Sequence, residues 1–187
     1  KIIFNMEISK TNQTPLLSIL CITYNHEKYI SKAINSFLKQ EASFDFEIVI
    51  GEDCSTDKTL EIIFEFQKNH PEIIKIIKSE NNVGVVENFR RTLAACRGKY
   101  IALCEGDDYW NDPKKIQTQV SFLEKNPNYV LTYHDSHSIN ENGVISNDPS
   151  KKGINYDATN CTLIKGIPIS TLTTCFRNNL KTIPEEL

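Results

Sequence analysis

Acidic residues in two short runs of the sequence have the chemistry needed to bind a divalent cation or a polar ligand. Asp53 lies in one run, E-D-C-S-T-D, and Glu105, Asp107 and Asp108 lie in the other, E-G-D-D. Gathering these four carboxylates in one cleft costs free energy unless a cation or hydrogen-bond donors compensate their charge. Carboxylates are suitable ligands for Mg²⁺ and Mn²⁺, so a bound divalent cation is the simplest compensation.

The elements that would position these residues alternate between two patterns of apolar spacing. Short, nearly continuous apolar runs are typical of strands that are buried on both faces of a parallel sheet. Between them, apolar residues recur at i, i+3 and i+4, which is the spacing of an amphipathic helix. The predicted strands are Leu16–Thr23, Phe46–Ile50, Ile73–Ile77 and Tyr100–Cys104. Four strand-helix units in succession predict an α/β fold, a doubly wound, mostly parallel, Rossmann-like sheet with helices on both faces.

The second half of the chain has weaker patterns. Tyr129–Tyr133 and Thr171–Phe176 are predicted to be further strands, because β-branched and aromatic residues are frequent in them. Gly98 is predicted to be the C-cap of the third helix. The polar segment from Ser146 to Asn160 is expected to form a loop.

Composition and charge exclude several classes of protein. The formal net charge of −3 supplies no positive field for nucleic acid, so no nucleic-acid partner is expected. The six cysteines have no C-x-x-C spacing, which argues against a zinc site and predicts reduced thiols in a cytosolic protein. No run approaches the roughly 18 apolar residues of a membrane span, so any membrane contact is expected to be peripheral at most.

Polar residues follow each predicted strand, and their order carries a family resemblance. The runs T-Y-N-H-E-K-Y-I, E-D-C-S-T-D-K-T, N-N-V-G, G-K-Y-I-A-L and E-G-D-D-Y-W occur between Leu17 and Pro127. Four of them follow strands at the carboxyl edge, where open α/β sheets bind their ligands. No single run is specific, but the five in this order resemble family 2 glycosyltransferases with the GT-A fold.

The resemblance implies the transfer of a sugar, with inversion, from a nucleotide diphosphate sugar to a hydroxyl of a saccharide or lipid-linked acceptor. Such an enzyme is expected in cell-surface polysaccharide or glycoconjugate synthesis, in the cytoplasm or at the inner face of the membrane. The chain would then comprise an N-terminal extension (1–14), a nucleotide-sugar-binding α/β domain (15–135) and the start of an incomplete acceptor-side region (136–187).

The resemblance also implies roles for single residues. Asp108, with Asp107, would ligate Mg²⁺ or Mn²⁺, which neutralises the charge of the leaving nucleoside diphosphate. The loop at Tyr24 and the carboxylate of Asp53 would hold the base, and Asp107 would lie near the ribose. Where many members show D-x-D-D, this chain has Glu105, whose side chain is one methylene longer. The predicted nucleotide-sugar contacts are Thr23, Tyr24, Asn25, Glu27, Asp53, Asn82, Arg90 and Asp107.

Inverting transfer needs a carboxylate that takes the proton of the acceptor hydroxyl. In the family, the corresponding acidic position lies beyond the segment that matches Thr171–Asn179. The catalytic base is therefore expected beyond Leu187, and Asp135, Glu185 and Glu186 are the weaker candidates within the chain.

Several alternatives stay open at this stage. Tyr109 and Trp110 would either stack on a sugar or close the edge of the sheet. Arg91 is expected to be solvated on its helix face, whereas the H-D-x-H cluster at His134–His137 is either a metal or acceptor site or simple surface polarity. The competing functions are a nucleotide-sugar-binding module without turnover and a phosphoacceptor signalling domain, which also gathers carboxylates around Mg²⁺.

Overall fold

The computed structural model describes residues 14–140, 144–145 and 169–179, which form a six-stranded sheet with four α-helices. The strands are β1 (Leu17–Thr23), β2 (Phe46–Glu52), β3 (Ile74–Lys78), β4 (Tyr100–Leu103), β5 (Leu131–Thr132) and β6 (Cys175–Arg177). The helices are α1 (Ile30–Leu38), α2 (Thr59–Asn69), α3 (Val85–Ala95) and α4 (Lys115–Lys125). The four predicted strand-helix units are therefore confirmed.

The strands lie in the order β3-β2-β1-β4-β6-β5. The first four are parallel to one another, and β6 runs antiparallel to both β4 and β5. The order reverses between β1 and β4, because the chain continues from β1 outward to β3 and then returns to the other side of β1. Open sheets bind their ligands at the carboxyl ends of the strands that flank such a reversal.

Apolar side chains alternate between the two faces of the sheet and make a core on each. Ile19 belongs to one cluster and its neighbour Leu20 to the other, as expected from the alternating direction of side chains along a strand. Ile34 of α1 and Leu123 of α4 pack in the first cluster, whereas Leu93 of α3 packs in the second. Helices therefore cover both faces, which confirms the doubly wound, mostly parallel prediction.

The prediction for Gly98 is wrong. Helix α3 ends at Ala95, and Cys96, in an extended conformation, is its C-cap. A Cβ atom on Gly98 would lie only 2.4 Å from the backbone nitrogen of Ser18 in β1. Glycine is needed here because the chain passes close to the neighbouring strand, and not because it ends a helix.

The segment predicted as the last strand is divided into two parts. Thr171–Thr173 forms a turn of 3-10 helix, and the strand itself is Cys175–Arg177. The hydroxyl of Thr173 donates to the carbonyl of Ser170 at 2.7 Å. Such local bonds from side chain to backbone compete with strand pairing, which explains why a β-branched run bends here. The predicted fifth strand is also shorter, since β5 contains only Leu131 and Thr132.

Of the two roles predicted for Trp110, the structure favours packing at the edge of the sheet over stacking on a sugar. Its side chain is buried against Phe37, with ring centroids 5.1 Å apart, and its Nε1 donates to the carbonyl of Leu172 at 2.8 Å. The neighbouring Tyr109 carries the ammonium group of Lys32 above its ring at 3.7 Å. Trp110 therefore joins the 3-10 turn to the core beside the acidic run.

The remaining expectations concern thiols, membranes and boundaries. The five described cysteines are free thiols, as expected, and burial raises the pKa of Cys96 and Cys175 to about 12. Among the described residues, no helix is long and apolar enough to cross a membrane. Cys161, the predicted loop at 146–160 and all but the last residue of the predicted extension lie outside the described residues. The boundary at residue 135 stays a prediction.

Candidate functional site

The loops that follow β1 and β4 meet at the carboxyl edge of the sheet, at the reversal of strand order. His26 lies on the first loop and Asp107 on the second, and His26 Nε2 is 3.9 Å from Asp107 Oδ2. The backbone N–H of Gly106 donates to the carbonyl of Ile22 at 3.0 Å, which joins the second loop to the end of β1. The two loops therefore form one surface.

Three carboxylates gather on this surface. One oxygen from each of Glu105, Asp107 and Asp108 lies within 4.8 Å of the others, the only such group among the described residues. Burial, and then the charges of Asp107 and Asp108, raise the pKa of Glu105. The structure thus adds Glu105 to the two predicted ligands. Oxygen donors at this spacing fit Mg²⁺ or Mn²⁺.

Gly106 lets the acidic run approach the end of β1. A Cβ atom at this position would lie 2.6 Å from Thr23 Oγ1 and 2.9 Å from His26 Nδ1. Both of these buried atoms lack a hydrogen-bond partner among the described residues. Thr23, predicted as a ligand contact, is only 2% exposed. Any larger residue at position 106 would push the carboxylates away from β1.

Asp53 lies at the end of β2 and is buried. Its Oδ1 accepts from the backbone N–H of Val83 at 2.8 Å, and its Oδ2 accepts from that of Gly84 at 2.9 Å. Gly84 has a φ of 84°, a conformation that glycine adopts without strain. The carboxylate therefore orders the loop between β3 and α3, and each oxygen still has a lone pair for a further donor.

Asn25 and Glu27, two of the predicted contacts, bond to the loop before α2. Asn25 has a φ of 56°, and its Oδ1 accepts from the backbone N–H of Thr56 at 2.8 Å. Glu27 Oε2 accepts from the N–H of Lys58 at 3.0 Å, while Asp57 accepts from the N–H of Glu27 at 3.1 Å. These bonds satisfy N–H groups near the start of α2 and hold the β1 and β2 loops together.

Two further residues support the loops after β2 and β3, and neither of these contacts was predicted from the sequence. The buried Glu52 accepts from the backbone N–H of Ser55 at 2.7 Å. Arg91, expected to be solvated, instead donates to the carbonyls of Glu52 and Ile77 and to Asn88 Oδ1. Parallel strands leave carbonyls unpaired at their ends, and a guanidinium satisfies several of them at once. The sequence did contain a signal for this contact. An arginine on the helix that follows a strand can reach the carbonyls at the carboxyl end of that strand.

The other predicted site residues differ in exposure and in their partners. Tyr24 is 41% exposed and Asn82 is exposed. Arg90 pairs with Glu87 at 3.8 Å. Asp135 is exposed after β5, whereas Glu185 and Glu186 lie outside the described residues. The H-D-x-H cluster at 134–137 lies within the described residues and makes no group able to hold a metal, so its metal interpretation is not supported.

Behind the acidic run, α4 contributes a buried cation. Lys115 is 4% exposed, its Nζ donates to Gln119 Oε1 at 2.7 Å and it lies 4.1 Å from the centre of the Trp110 ring. Burial lowers the pKa of Lys115 to about 8. Gln119 Nε2 donates in turn to the carbonyl of Thr173 at 2.9 Å. Lys115 and Gln119 therefore anchor the 3-10 turn, from which Thr171 donates to Glu105 at 3.4 Å.

Comparison with known proteins places this geometry in a family. The sequence model of "Glycosyl transferase family 2" matches residues 18–180. The protein Rv1520 of Mycobacterium tuberculosis is 42% identical over 127 residues, which are 68% of this chain and 37% of that protein. TuaG of Bacillus subtilis, named for teichuronic acid biosynthesis, is 33% identical over 60% of this chain and 44% of its own length. The chain thus spans less than half the length of these relatives.

Solved structures have the same fold. TarS of S. aureus, determined with UDP-GlcNAc, superposes with a TM-score of 0.65 at 26% identity over 88% of this chain and 46% of that one. The mannosyltransferase PcManGT of Pyrobaculum calidifontis, determined with GDP-Man and Mn²⁺, has a TM-score of 0.58 at 17% identity over 66% of this chain and 36% of that one. The second likeness supports the fold alone. With four loops, an acidic cluster at the strand reversal and a family match over most of its length, the chain belongs to glycosyl transferase family 2.

Proposed function

We propose that this chain is the donor-binding part of a metal-dependent, inverting glycosyltransferase that uses a nucleotide diphosphate sugar. One observation carries the proposal: Glu105, Asp107 and Asp108 come within 4.8 Å of one another at the strand reversal, in a family 2 domain. The nucleotide sugars bound to TarS and PcManGT support the donor class. The name of TuaG supports an acceptor in a cell-surface polysaccharide or glycoconjugate, saccharide or lipid-linked.

The acidic run would hold Mg²⁺ or Mn²⁺ against the diphosphate. When bound, the cation supplies a Lewis acid that neutralises the negative charge gathered by the leaving nucleoside diphosphate. Asp107, whose side chain is 49% exposed, would contact the ribose as well. Arg90 lies in the middle of α3 with its side chain 29% exposed, and it would approach the diphosphate at the expense of its weak pair with Glu87.

The base would lie on the other side of the strand reversal. Tyr24 offers an exposed aromatic ring on which a base can stack, and Asp53 offers an oxygen to a ring N–H. Asn82 is exposed on the loop that Asp53 orders. Asn25 and Glu27 would act mainly through the loops they join, since their oxygens already accept backbone N–H groups.

The catalytic base on the acceptor side is proposed from the chemistry of inverting transfer. Transfer with inversion needs a base opposite the leaving group, and we place it beyond Leu187, with Asp135 as the described alternative.

The strand order does not favour the phosphoacceptor alternative, because such domains have the order 2-1-3-4-5 with a parallel fifth strand. A cytoplasmic location, at the inner face of the membrane, fits the use of nucleotide sugars.

The donor and the cation can be tested together by thermal shift with UDP-, GDP- and dTDP-sugars, with and without Mn²⁺. A donor at a hundredfold excess over its Kd should stabilise the chain by about 2.7 kcal/mol. Absence of stabilisation by every nucleotide sugar would contradict donor binding. Calorimetric titration of UDP and Mn²⁺ should then show that Asp108→Asn loses the metal-dependent part of the affinity, because one ligand charge is removed without a change of size.

The matched control for Asp108→Asn is Asp45→Asn. Asp45 is exposed in the loop before β2, at the opposite edge of the sheet, so its substitution changes the net charge equally but leaves the acidic run intact. Unchanged metal-dependent affinity in Asp108→Asn would remove Asp108 from the metal site. An assay of sugar transfer distinguishes an enzyme from a binding module. We expect the whole enzyme to transfer sugar, and this chain alone to bind the donor without transfer.

A further inference from the structure

Two buried polar atoms lie without a hydrogen-bond partner directly beside the acidic run. Among the described residues, Thr23 Oγ1 and His26 Nδ1 are both without a partner, and both lie close to the backbone of Gly106. A buried polar atom without a partner typically costs about 1–3 kcal/mol, so such atoms are rare unless they have a role. Thr23 is 2% exposed, so its hydroxyl is buried at the end of β1, beside the acidic run.

The imidazole of His26 extends from this buried hydroxyl to the metal site. Its Nε2 is 3.9 Å from Asp107 Oδ2, which is longer than a hydrogen bond but within the range of a side-chain rotation. The backbone of His26 is held firmly, because its N–H donates to Thr59 Oγ1 at 2.8 Å and its carbonyl accepts from Ile30 at 2.9 Å. Asp107, half exposed, is the partner that can move.

We propose that Thr23 and His26 form a positioning pair for the divalent-cation site. Neither of its bonds is made in this structure, and when a cation binds the Thr23 hydroxyl donates to His26 Nδ1 and His26 Nε2–H donates to Asp107. This inference rests on the proposed function, since it assumes that the acidic run binds a cation. A donor at Nδ1 leaves the proton on Nε2, so the threonine selects the tautomer that can face a carboxylate. The bond to Nε2 then fixes which Asp107 oxygen faces the ion.

Gly106 fits this arrangement. The hydroxyl of Thr23 and the Nδ1 of His26 both border the space that a Cβ atom at position 106 would occupy, at 2.6 Å and 2.9 Å from it. A methyl group there would separate them. The pair therefore connects the end of β1 to the acidic run across the strand reversal, and it orients a ligand without touching the ion. Outer partners of metal ligands commonly change metal affinity by about 10–100-fold.

The test uses isosteric substitutions and Mn²⁺ alone, measured by electron paramagnetic resonance titration of the full chain. Glutamine places an amide nitrogen near the position of Nε2, whereas asparagine places one near Nδ1. We expect His26→Ala and His26→Asn to weaken Mn²⁺ binding about tenfold, and His26→Gln to stay within about threefold of the original protein. His70→Ala, at the amino edge beyond α2, is the matched control and should leave the affinity unchanged.

Thr23 is tested by Thr23→Val, which keeps the shape and removes the hydroxyl, and by Thr23→Ser, which keeps it. We expect Thr23→Val to weaken Mn²⁺ binding, with no further loss when it is combined with His26→Ala, because both changes break the same connection. If Thr23→Val does not fold, the Mn²⁺ affinities of Thr23→Ser and of the His26 variants test the positioning pair instead. Equal losses in His26→Gln and His26→Ala would show packing alone and overturn the pair.

The outcomes separate this inference from the proposed function. If the original chain binds Mn²⁺, Asp108→Asn does not, and every His26 variant binds like the original, the positioning pair is wrong and the metal site stands. If the original chain binds no Mn²⁺, both are wrong. Equal urea midpoints for the His26 variants in metal-free buffer would confirm that any loss of affinity is not a loss of fold.

Discussion

The loops on the two sides of the strand reversal carry similar polar residues, but the surroundings of these residues differ. On the side proposed for the base, Asp53, Asn25 and Glu27 already accept backbone N–H groups from neighbouring loops. On the side proposed for the metal, Glu105 accepts a long bond from Thr171, and its pKa is raised by burial and by the adjacent carboxylates. The first group contributes to the stability of the fold, whereas the crowding of the second costs free energy that a bound cation would offset.

This difference separates two uses of polar residues at the end of a strand. A carboxylate that satisfies backbone donors orders the loop before any ligand arrives, so less entropy is lost on binding. Carboxylates that crowd together, as Glu105, Asp107 and Asp108 do, repel one another and attract a cation. Substitutions should therefore have opposite effects on the two sides: a loss of stability on the base side, and a loss of affinity with little or no loss of stability on the metal side.

Asp53→Ala is expected to have the largest effect. Removal of the carboxylate leaves two backbone N–H groups without their charged acceptor, and we expect the free energy of unfolding to fall by about 2–4 kcal/mol. Nucleoside diphosphate should bind more weakly, but bare pyrophosphate should not, because the proposed partner of Asp53 is the base. Urea unfolding and calorimetry measure the two effects. Asp53→Asn keeps one acceptor and should lose less stability, and equal losses for both ligands would contradict a role at the base.

Glu105→Gln should show the opposite pattern. The change removes one of three crowded charges, so we expect Mn²⁺ affinity to fall by roughly 10–100-fold, while the stability of the metal-free chain stays the same or rises. Mn²⁺ titration and urea unfolding in a chelator are the measurements. Glu65→Gln, exposed on α2, serves as the control. A large loss of stability in Glu105→Gln would show that this carboxylate belongs with the structural group.

Lys115→Met tests the buried cation behind the metal side through its pH dependence. The pKa of Lys115 is about 8 in the fold, against about 10.4 in the unfolded chain, so between these values the unfolded chain binds the extra proton. Below pH 8 the original protein bears the full cost of a buried ammonium, and its stability relative to Lys115→Met should rise by about 1–2 kcal/mol between pH 7 and 9.5.

Urea midpoints at the two pH values measure this change. The buried thiols contribute little to the difference, because burial is the first cause of their raised pKa values and is the same in both proteins. The charge of Lys115 lowers the pKa of Cys104 and Cys175 only as a lesser cause. A stability difference between the two proteins that stays constant from pH 7 to 9.5 would show that Lys115 keeps an ordinary pKa.

Gly84→Ala should lower stability but leave the acidic run unaffected. A Cβ at this position meets no atom within 4 Å, so only the backbone conformation, with φ of 84° and ψ of 165°, opposes the change, at a cost of about 1–3 kcal/mol. Thermal unfolding should record this loss, while Mn²⁺ affinity stays unchanged because the acidic run lies on the other side of the reversal. A loss of Mn²⁺ binding in Gly84→Ala would show that the two sides are coupled.

The sequence by itself determined the order of strands and helices and the position of the site. Continuous apolar runs such as Leu17–Thr23 and helical stripes such as Ile30–Leu38 depend on local spacing, which one chain displays directly. The acidic run was recognisable for a related reason, since charged residues directly after a buried strand must lie at the edge of the sheet. The division of Thr171–Phe176 was not predicted, because threonine hydroxyls can serve a strand or a turn equally well.

Only the tertiary structure decided which polar residues support the loops and which remain available to a ligand. Asp53 and Asp107 look alike in the sequence, yet two N–H groups from residues 83 and 84 reach the first, and a single imidazole at 3.9 Å faces the second. The same is true of Arg91, which satisfies carbonyls at the ends of two strands. The physical reason is that each of these hydrogen bonds joins partners that folding brings together from distant positions, 30 apart for Asp53 and Val83 and 14 apart for Arg91 and Ile77. No local pattern in the sequence records that pairing.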